Sequence, residues 1–130
     1  MSITPSAIKK YFLILASATI FAVGLLYGVS PYWFASQFLG VSGLDTNLAH
    51  ILRAFMCLYI SFGFFWLFAA FSKKYRNAAV LTTVLFPAGL VIGRVISFHA
   101  DGRPAPLLLF YMAAEFIQAP IALWVFRLPE

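Results

Sequence analysis

The sequence predicts an all-α integral membrane protein, an antiparallel four-helix bundle formed as a single domain by residues 1–130. Two observations predict this fold. First, 63% of the residues are hydrophobic and only 10% are charged, and the mean hydropathy is +0.93, whereas a soluble domain carries about 25% charged residues. Second, four apolar runs follow one another, each close to the ~20 residues that cross a bilayer. Too little chain lies outside these runs for a separate soluble domain.

The first predicted span covers residues 11–29 and follows Lys9 and Lys10. A basic start before an apolar run also occurs in signal peptides. This run is longer than the roughly 7–15 apolar residues of such a peptide, and no clear small-residue cleavage site follows it. We therefore predict a retained first helix.

The connection after the first span is rich in aromatic residues. Ser30 and Pro31 stop the first helix, and the aromatic residues among positions 32–38 are typical of the lipid headgroup level. We predict a short interfacial helix or re-entrant turn that ends at Gly40 or Gly43.

Three further spans are predicted at residues 48–71, 78–99 and 107–126. Small residues at helical spacing predict where helices pack closely. The two G-x-x-x-G pairs are Gly24 with Gly28 on the first helix and Gly89 with Gly93 on the third.

The cations of the chain are distributed unevenly about the four spans. The side that holds both termini collects Lys9, Lys10, Lys73, Lys74, Arg76 and Arg127. The opposite loops hold Arg103 together with Asp45 and Asp101. Because cytoplasmic loops carry an excess of Lys and Arg, we expect both termini in the cytoplasm. Cations that flank apolar runs form no basic face for a duplex, so no nucleic-acid partner is expected.

Three ionisable residues lie inside otherwise apolar spans: Arg53, Arg94 and Glu115. A charge at membrane depth costs at least ~2.5–3.5 kcal/mol, so such residues are usually paired and functional. The helical rise places Arg53 and Arg94 about 8 Å, and Glu115 about 12 Å, below the same membrane surface. We therefore predict that the three side chains form one intramembrane polar cluster with a surplus positive charge.

Helical spacing adds neighbours to each charge. On the second helix the predicted polar face is His50, Arg53, Ala54, Cys57 and Ser61. The third helix aligns Ser97 with Arg94, and the fourth aligns Tyr111 and Gln118 with Glu115. The candidate ligand-binding residues are Arg53, Arg94, Glu115, His50, Ser97, Tyr111 and Gln118.

Catalytic residues, a metal site and a cofactor are not expected. Cys57 is the single cysteine, so the chain alone cannot support dithiol chemistry. His50 and His99 lie at the ends of adjacent helices and leave two alternatives open: a haem between them, or a surface metal shared with Asp45 and Asp101. Interfacial haem ligands would be unusual, and the spacing matches no metal motif.

Several short motifs stand in an order that resembles a known family. They are Tyr27-Gly28-Val29-Ser30-Pro31, His50-Ile51-Leu52-Arg53-Ala54, Tyr59, Gly93-Arg94-Val95-Ile96-Ser97, Asp101-Gly102-Arg103-Pro104, and Glu115 with Pro120 and Trp124. Over nearly the whole chain they resemble a family of small four-span bacterial membrane proteins catalogued only as a domain of unknown function, similar in layout to the DoxX-like group. The resemblance implies a four-helix fold in a bacterial inner membrane and no assigned activity. Some DoxX-like relatives are linked to thiol or quinone redox chemistry.

Three functional hypotheses follow. The favoured one is binding of a membrane lipid, a quinone or another small amphipathic ligand at the Arg53, Arg94 and Glu115 site, reached from the outer side past residues 32–38. The second is an accessory or stabilising subunit of a larger membrane complex, or a homo-oligomer, in which the ion cluster is purely structural. The third is a membrane oxidoreductase or proton-linked transporter, in which Glu115 relays protons. An enzyme is not the favoured class.

Overall fold

The computed structural model describes residues 2–129, which form four long helices and one short connecting helix. The elements are α1 (Pro5–Gly28), α2 (Pro31–Phe34) continued by a π-helical turn (Ala35–Leu39), α3 (Thr46–Ala70), α4 (Arg76–Asp101) and α5 (Pro106–Arg127). The four long helices are each long and apolar enough to cross a membrane. The all-helical fold and the four predicted spans are confirmed.

Helix α1 begins earlier than the apolar run predicted. Its N-cap is Thr4, whose hydroxyl accepts a hydrogen bond from the Ala7 amide at 3.1 Å, and Pro5 occupies the first turn. Both residue types favour helix starts, because the cap satisfies a free amide and proline has none to satisfy. Lys9 and Lys10 therefore lie within the helix rather than before it.

The connection between α1 and α3 contains the predicted short helix. The Ser30 hydroxyl caps α2 by accepting from the Trp33 amide at 3.4 Å, and Pro31 follows the cap. The π-helical turn ends at Gly40, whose φ of 67° lies in the left-handed region that glycine tolerates. Phe34 is fully buried and packs edge-on against Tyr27, with ring centroids 4.9 Å apart. The connection thus covers one end of the bundle.

The long helices associate as two pairs. Helix α1 packs extensively along α3, and helix α4 packs along α5. Contacts between these two pairs are fewer. Gly24 and Gly28 face α3, and a Cβ at Gly24 would lie 2.9 Å from the Cβ of Tyr59. The first G-x-x-x-G prediction is therefore confirmed. The second is wrong, since no atom lies within 4 Å of a Cβ placed at Gly89 or Gly93.

The end of the bundle that holds the N-terminus of α1 contains a buried polar cluster, which we call the Lys9–Arg76 cluster. The Lys9 ammonium donates to Asn77 Oδ1 at 2.5 Å. The Arg76 guanidinium donates to Ser6 Oγ at 2.6 Å and to the Ala70 carbonyl at 2.9 Å. Lys9 is 0% and Arg76 is 6% exposed. These bonds connect α1, the end of α3 and the start of α4.

Candidate functional site

Helices α4 and α5 are joined by an ion pair inside the membrane span. Arg94 Nε donates to Glu115 Oε2 at 2.7 Å, and Arg94 Nη2 donates to Glu115 Oε1 at 3.1 Å. Two parallel bonds satisfy both carboxylate oxygens, which is the strongest arrangement for this pair of side chains. The side chains keep 21% and 13% of their surface accessible. The structure thus brings Arg94 and Glu115 together, as their matched depths predicted.

Three tyrosines from three helices lie near this ion pair. Tyr27 lies in the last turn of α1, Tyr59 in α3 and Tyr111 in α5. All three phenols interact electrostatically with Arg94 and Glu115. The Tyr27 ring stands edge-on to the rings of Tyr59 and Tyr111, at centroid distances of 5.7 and 6.0 Å. Aromatic rings and hydroxyls therefore meet at the ion pair.

A cavity of about 130 Å³ begins beside Glu115 and extends between the two helix pairs. Its aromatic lining is Tyr59, Trp66, Phe86, Phe110 and Tyr111. Gln118, one helical turn below Glu115, adds an amide to the wall. Side chains from all four long helices bound the cavity.

Three polar side chains of the cavity wall have unused hydrogen-bonding capacity. Within residues 2–129, the hydroxyls of Tyr59 and Tyr111 and the amide of Gln118 form no hydrogen bond, although Tyr59 is only 7% exposed. Polar groups inside a membrane protein are normally paired, because lipid offers no partners. These groups therefore mark a place where a ligand or water can bond.

Three residues of the cavity wall are exposed on the outside of the bundle: Thr19 on α1, and Phe110 and Ala114 on α5. Phe34 is buried against Tyr27 in the connection after α1. Access to the site past the aromatic residues 32–38 stays a prediction.

Arg94 separates this cavity from a second, smaller space. A groove of about 100 Å³ near the α4–α5 connection is lined by Arg94, Ser97, Pro104 and Met112 among others. Ser97 faces this groove rather than the cavity, and its hydroxyl donates to Asp101 Oδ2 at 2.7 Å. The ion pair therefore has accessible space on two sides.

Arg53 and His50 do not join the site, so the prediction of a three-charge cluster is wrong. Both side chains are exposed, and neither forms a hydrogen bond or ion pair with the residues that the structure describes. The inward stripe of α3 instead contains Tyr59, Gly63 and Trp66, spaced at i, i+4 and i+7. Helical geometry rotates Arg53 by about 100° from that stripe.

The whole predicted polar face of α3 lies outside the bundle. Its members, all exposed, are His50, Arg53, Ala54, Cys57 and Ser61. Tyr59 lies on the inward face of α3. Its helical spacing from Gly63 and Trp66 was the pattern in the sequence that could have predicted this face. Trp66 is 1% exposed, and its indole donates to Thr82 Oγ1 at 2.8 Å, which ties α3 to α4.

The two histidines of the chain, His50 and His99, are exposed on the outside of the bundle. In the described part of the chain, no three side chains of His, Cys, Asp or Glu are grouped so as to hold a metal ion. His99 is exposed, with its Nδ1 2.9 Å from the Val95 carbonyl oxygen of its own helix. The features that converge in space are one neutral ion pair, three tyrosines and one amide, which suit polar recognition of a ligand.

Comparison with known proteins gives a family and no activity. No curated protein and no solved structure matches the chain. One family model matches residues 8–126, which include every helix that contributes to the site. The chain therefore belongs to the family described as Domain of unknown function (DUF4345).

Proposed function

We propose that the protein binds one small amphipathic molecule, a lipid, a quinone or a compound of similar chemistry, in the cavity between its helix pairs. The observation that carries this proposal is the aromatic cavity beside Glu115, whose wall includes the unbonded Tyr59 hydroxyl and Gln118 amide. A cavity of this kind, mostly apolar with a few convergent polar groups, is the usual form of a small-molecule site.

The size of the cavity supports binding of a ring-sized group rather than a whole lipid. Its volume is about 130 Å³, and an apolar protein cavity of roughly 150 Å³ accommodates a benzene molecule. Three residues of its wall, Thr19, Phe110 and Ala114, are exposed on the outside of the bundle. A bound molecule would place its polar ring or headgroup inside and extend an apolar tail into the lipid.

The charge of the site favours an uncharged ligand. Arg53 does not join the site. Arg94 and Glu115 therefore neutralise each other, and two hydrogen bonds join them. Hydroxyls of Tyr59 and Tyr111 and the Gln118 amide can donate to a carbonyl oxygen, and Glu115 can accept from a hydroxyl. Carbonyl and hydroxyl groups on a planar ring match this set of partners. An anionic headgroup would be left without a spare cation.

The test compares two neighbouring alanines on α5. Both alanines are exposed, but Ala114 lines the cavity and Ala113 does not. The protein is purified in mild detergent, and its bound organic molecules are extracted and quantified per mole of protein by mass spectrometry. We expect Ala114→Phe to remove the molecule retained by the wild type, because the added ring fills the cavity, and Ala113→Phe to retain it. Equal amounts in both variants, or no retained amphipathic molecule in the wild type, would contradict the proposal.

A further inference from the structure

The exposed face of α3 that contains Arg53 is distinct from the cavity. Arg53 lies seven residues after the start of α3 at Thr46, which places its Cα about 10 Å along the helix. It is exposed and has no acidic partner among residues 2–129. An unpaired cation at this depth on a surface that faces lipid is costly, so something outside the chain compensates it.

The Arg53 side chain points toward the nearer membrane surface. In an α-helix each Cα–Cβ bond tilts toward the N-terminus, and the N-terminus of α3 is at that surface. A long arginine side chain can therefore extend along the helix and place its guanidinium at the headgroup level. His50, one turn closer to the surface, is exposed on the same face, about 5–6 Å from Arg53 between Cβ atoms.

Below Arg53 the same face of α3 is exposed and uncharged. Cys57 follows Arg53 one turn on, and Ser61 follows Cys57 and donates its hydroxyl back to the Cys57 carbonyl at 2.8 Å. Cys57 lies about 16 Å along the helix from Thr46, close to the depth of one leaflet of a ~30 Å hydrocarbon core. A cationic end above an uncharged helix face in the same leaflet matches the polarity of a phospholipid.

We propose that this face binds a phospholipid, with its phosphate on Arg53 and His50 and an acyl chain along the helix past Cys57. Phosphate oxygens accept two parallel hydrogen bonds from a guanidinium, which makes arginine well suited to this contact. The proposal concerns a different surface from the cavity and does not depend on the proposed function.

A second copy of this chain is a poorer partner for Arg53. Each acidic side chain among the described residues already accepts a hydrogen bond. Glu115 accepts from Arg94, Asp101 from Ser97, and Asp45 from the Asn47 amide that it caps. In a second copy, Arg53 would therefore have to share a carboxylate that already caps a helix or accepts from Ser97, whereas the membrane surface contains phosphate in abundance.

The test titrates the delipidated full-length protein with phosphatidylglycerol in mild detergent and measures the first bound lipid by native mass spectrometry. We expect Arg53→Gln to weaken phosphatidylglycerol binding about fivefold, the factor that corresponds to about 1 kcal/mol per interfacial cation. Arg53→Lys keeps the charge but not the two parallel hydrogen bonds, so it should weaken binding less than Arg53→Gln does. Arg103→Gln is the matched control, since Arg103 is exposed in the loop at the same end of the bundle, and it should leave binding unchanged.

Two further arms separate this site from the alternatives. Diacylglycerol lacks the phosphate, so its binding should not respond to Arg53→Gln, and Ala114→Phe should leave phosphatidylglycerol binding intact because the cavity is elsewhere. If Arg53→Gln does not fold, His50→Gln replaces it and should weaken phosphatidylglycerol binding without affecting diacylglycerol. Equal phosphatidylglycerol affinity in Arg53→Gln and wild type would overturn the proposal. So would an Arg53→Gln variant that loses only self-association, since Arg53 would then belong to a protein interface.

Discussion

At one end of the bundle, the buried cations Lys9 and Arg76 tie three helices together; at the other, Arg94 and Glu115 tie only α4 to α5 and lie beside open space. The Lys9–Arg76 cluster is 0% and 6% exposed and adjoins neither the cavity nor the groove. The Arg94–Glu115 pair is more accessible and contacts both spaces. Burial of charge alone therefore does not indicate a ligand site. Adjoining space distinguishes the second region from the first.

The largest stability effect is expected from Arg76→Met, which tests the structural role of the first region. The variant loses hydrogen bonds to Ser6 and to the Ala70 carbonyl. Bonds that involve a charged group contribute roughly 1.5–3 kcal/mol each, so we expect a loss of about 3–6 kcal/mol. Denaturant unfolding in detergent measures it. A variant as stable as the wild type would mean that this cluster does not hold the helices together.

Paired glycine variants compare the packing of α1 with that of α4. A Cβ at Gly28 would collide with the Met56 side chain, whereas one at Gly93 would meet no atom within 4 Å. Gly28→Ala should lower the free energy of unfolding by about 1–3 kcal/mol through overpacking. Gly93→Ala should raise it by up to about 1 kcal/mol, because alanine loses less backbone entropy in a helix. The same sign for both variants would contradict the assignment of the tight interface to α1 and α3.

The smallest effect on stability is expected at Arg53. Its side chain is exposed and forms no bond with the described residues, so Arg53→Gln should change the free energy of unfolding by less than about 0.5 kcal/mol in lipid-free detergent. Arg76→Met in the same assay provides the contrast between a buried and an exposed arginine. A loss at Arg53 as large as that at Arg76 would show that Arg53 has an internal partner.

The sequence was sufficient for the helices and for part of the site. Apolar runs of membrane-spanning length predicted all four long helices, and matched depth predicted that Arg94 meets Glu115. Depth follows from counting residues along an axis, so it is available without tertiary structure. The pairing of Gly24 and Gly28 with α3 was predictable for a similar reason, because small residues permit close approach.

Rotation and burial were harder to predict than depth. We predicted that the polar side of α3 faces the inside of the bundle. In the structure, Tyr59 points inward and Arg53 is exposed. In a membrane the outside is as apolar as the inside, so hydrophobic periodicity does not reveal which face is buried. Lys9 and Arg76 were interpreted as interfacial cations, since no local pattern shows that Asn77 and Ser6 fold against them. The cavity depends on how two helix pairs fit together, which one sequence does not contain.

We propose that the Arg94–Glu115 region binds a ligand rather than merely locking two helices together. The most direct test is the double variant Arg94→Met/Glu115→Met, measured for bound amphipathic molecule per mole of protein and for stability in the same preparation. Replacing both members of a buried ion pair by apolar residues is often neutral or stabilising, unlike removal of one partner. We predict that the double variant unfolds no more easily than the wild type and retains at least about tenfold less ligand, a loss of roughly 1.4 kcal/mol or more. A double variant that keeps its full ligand content would contradict the claim.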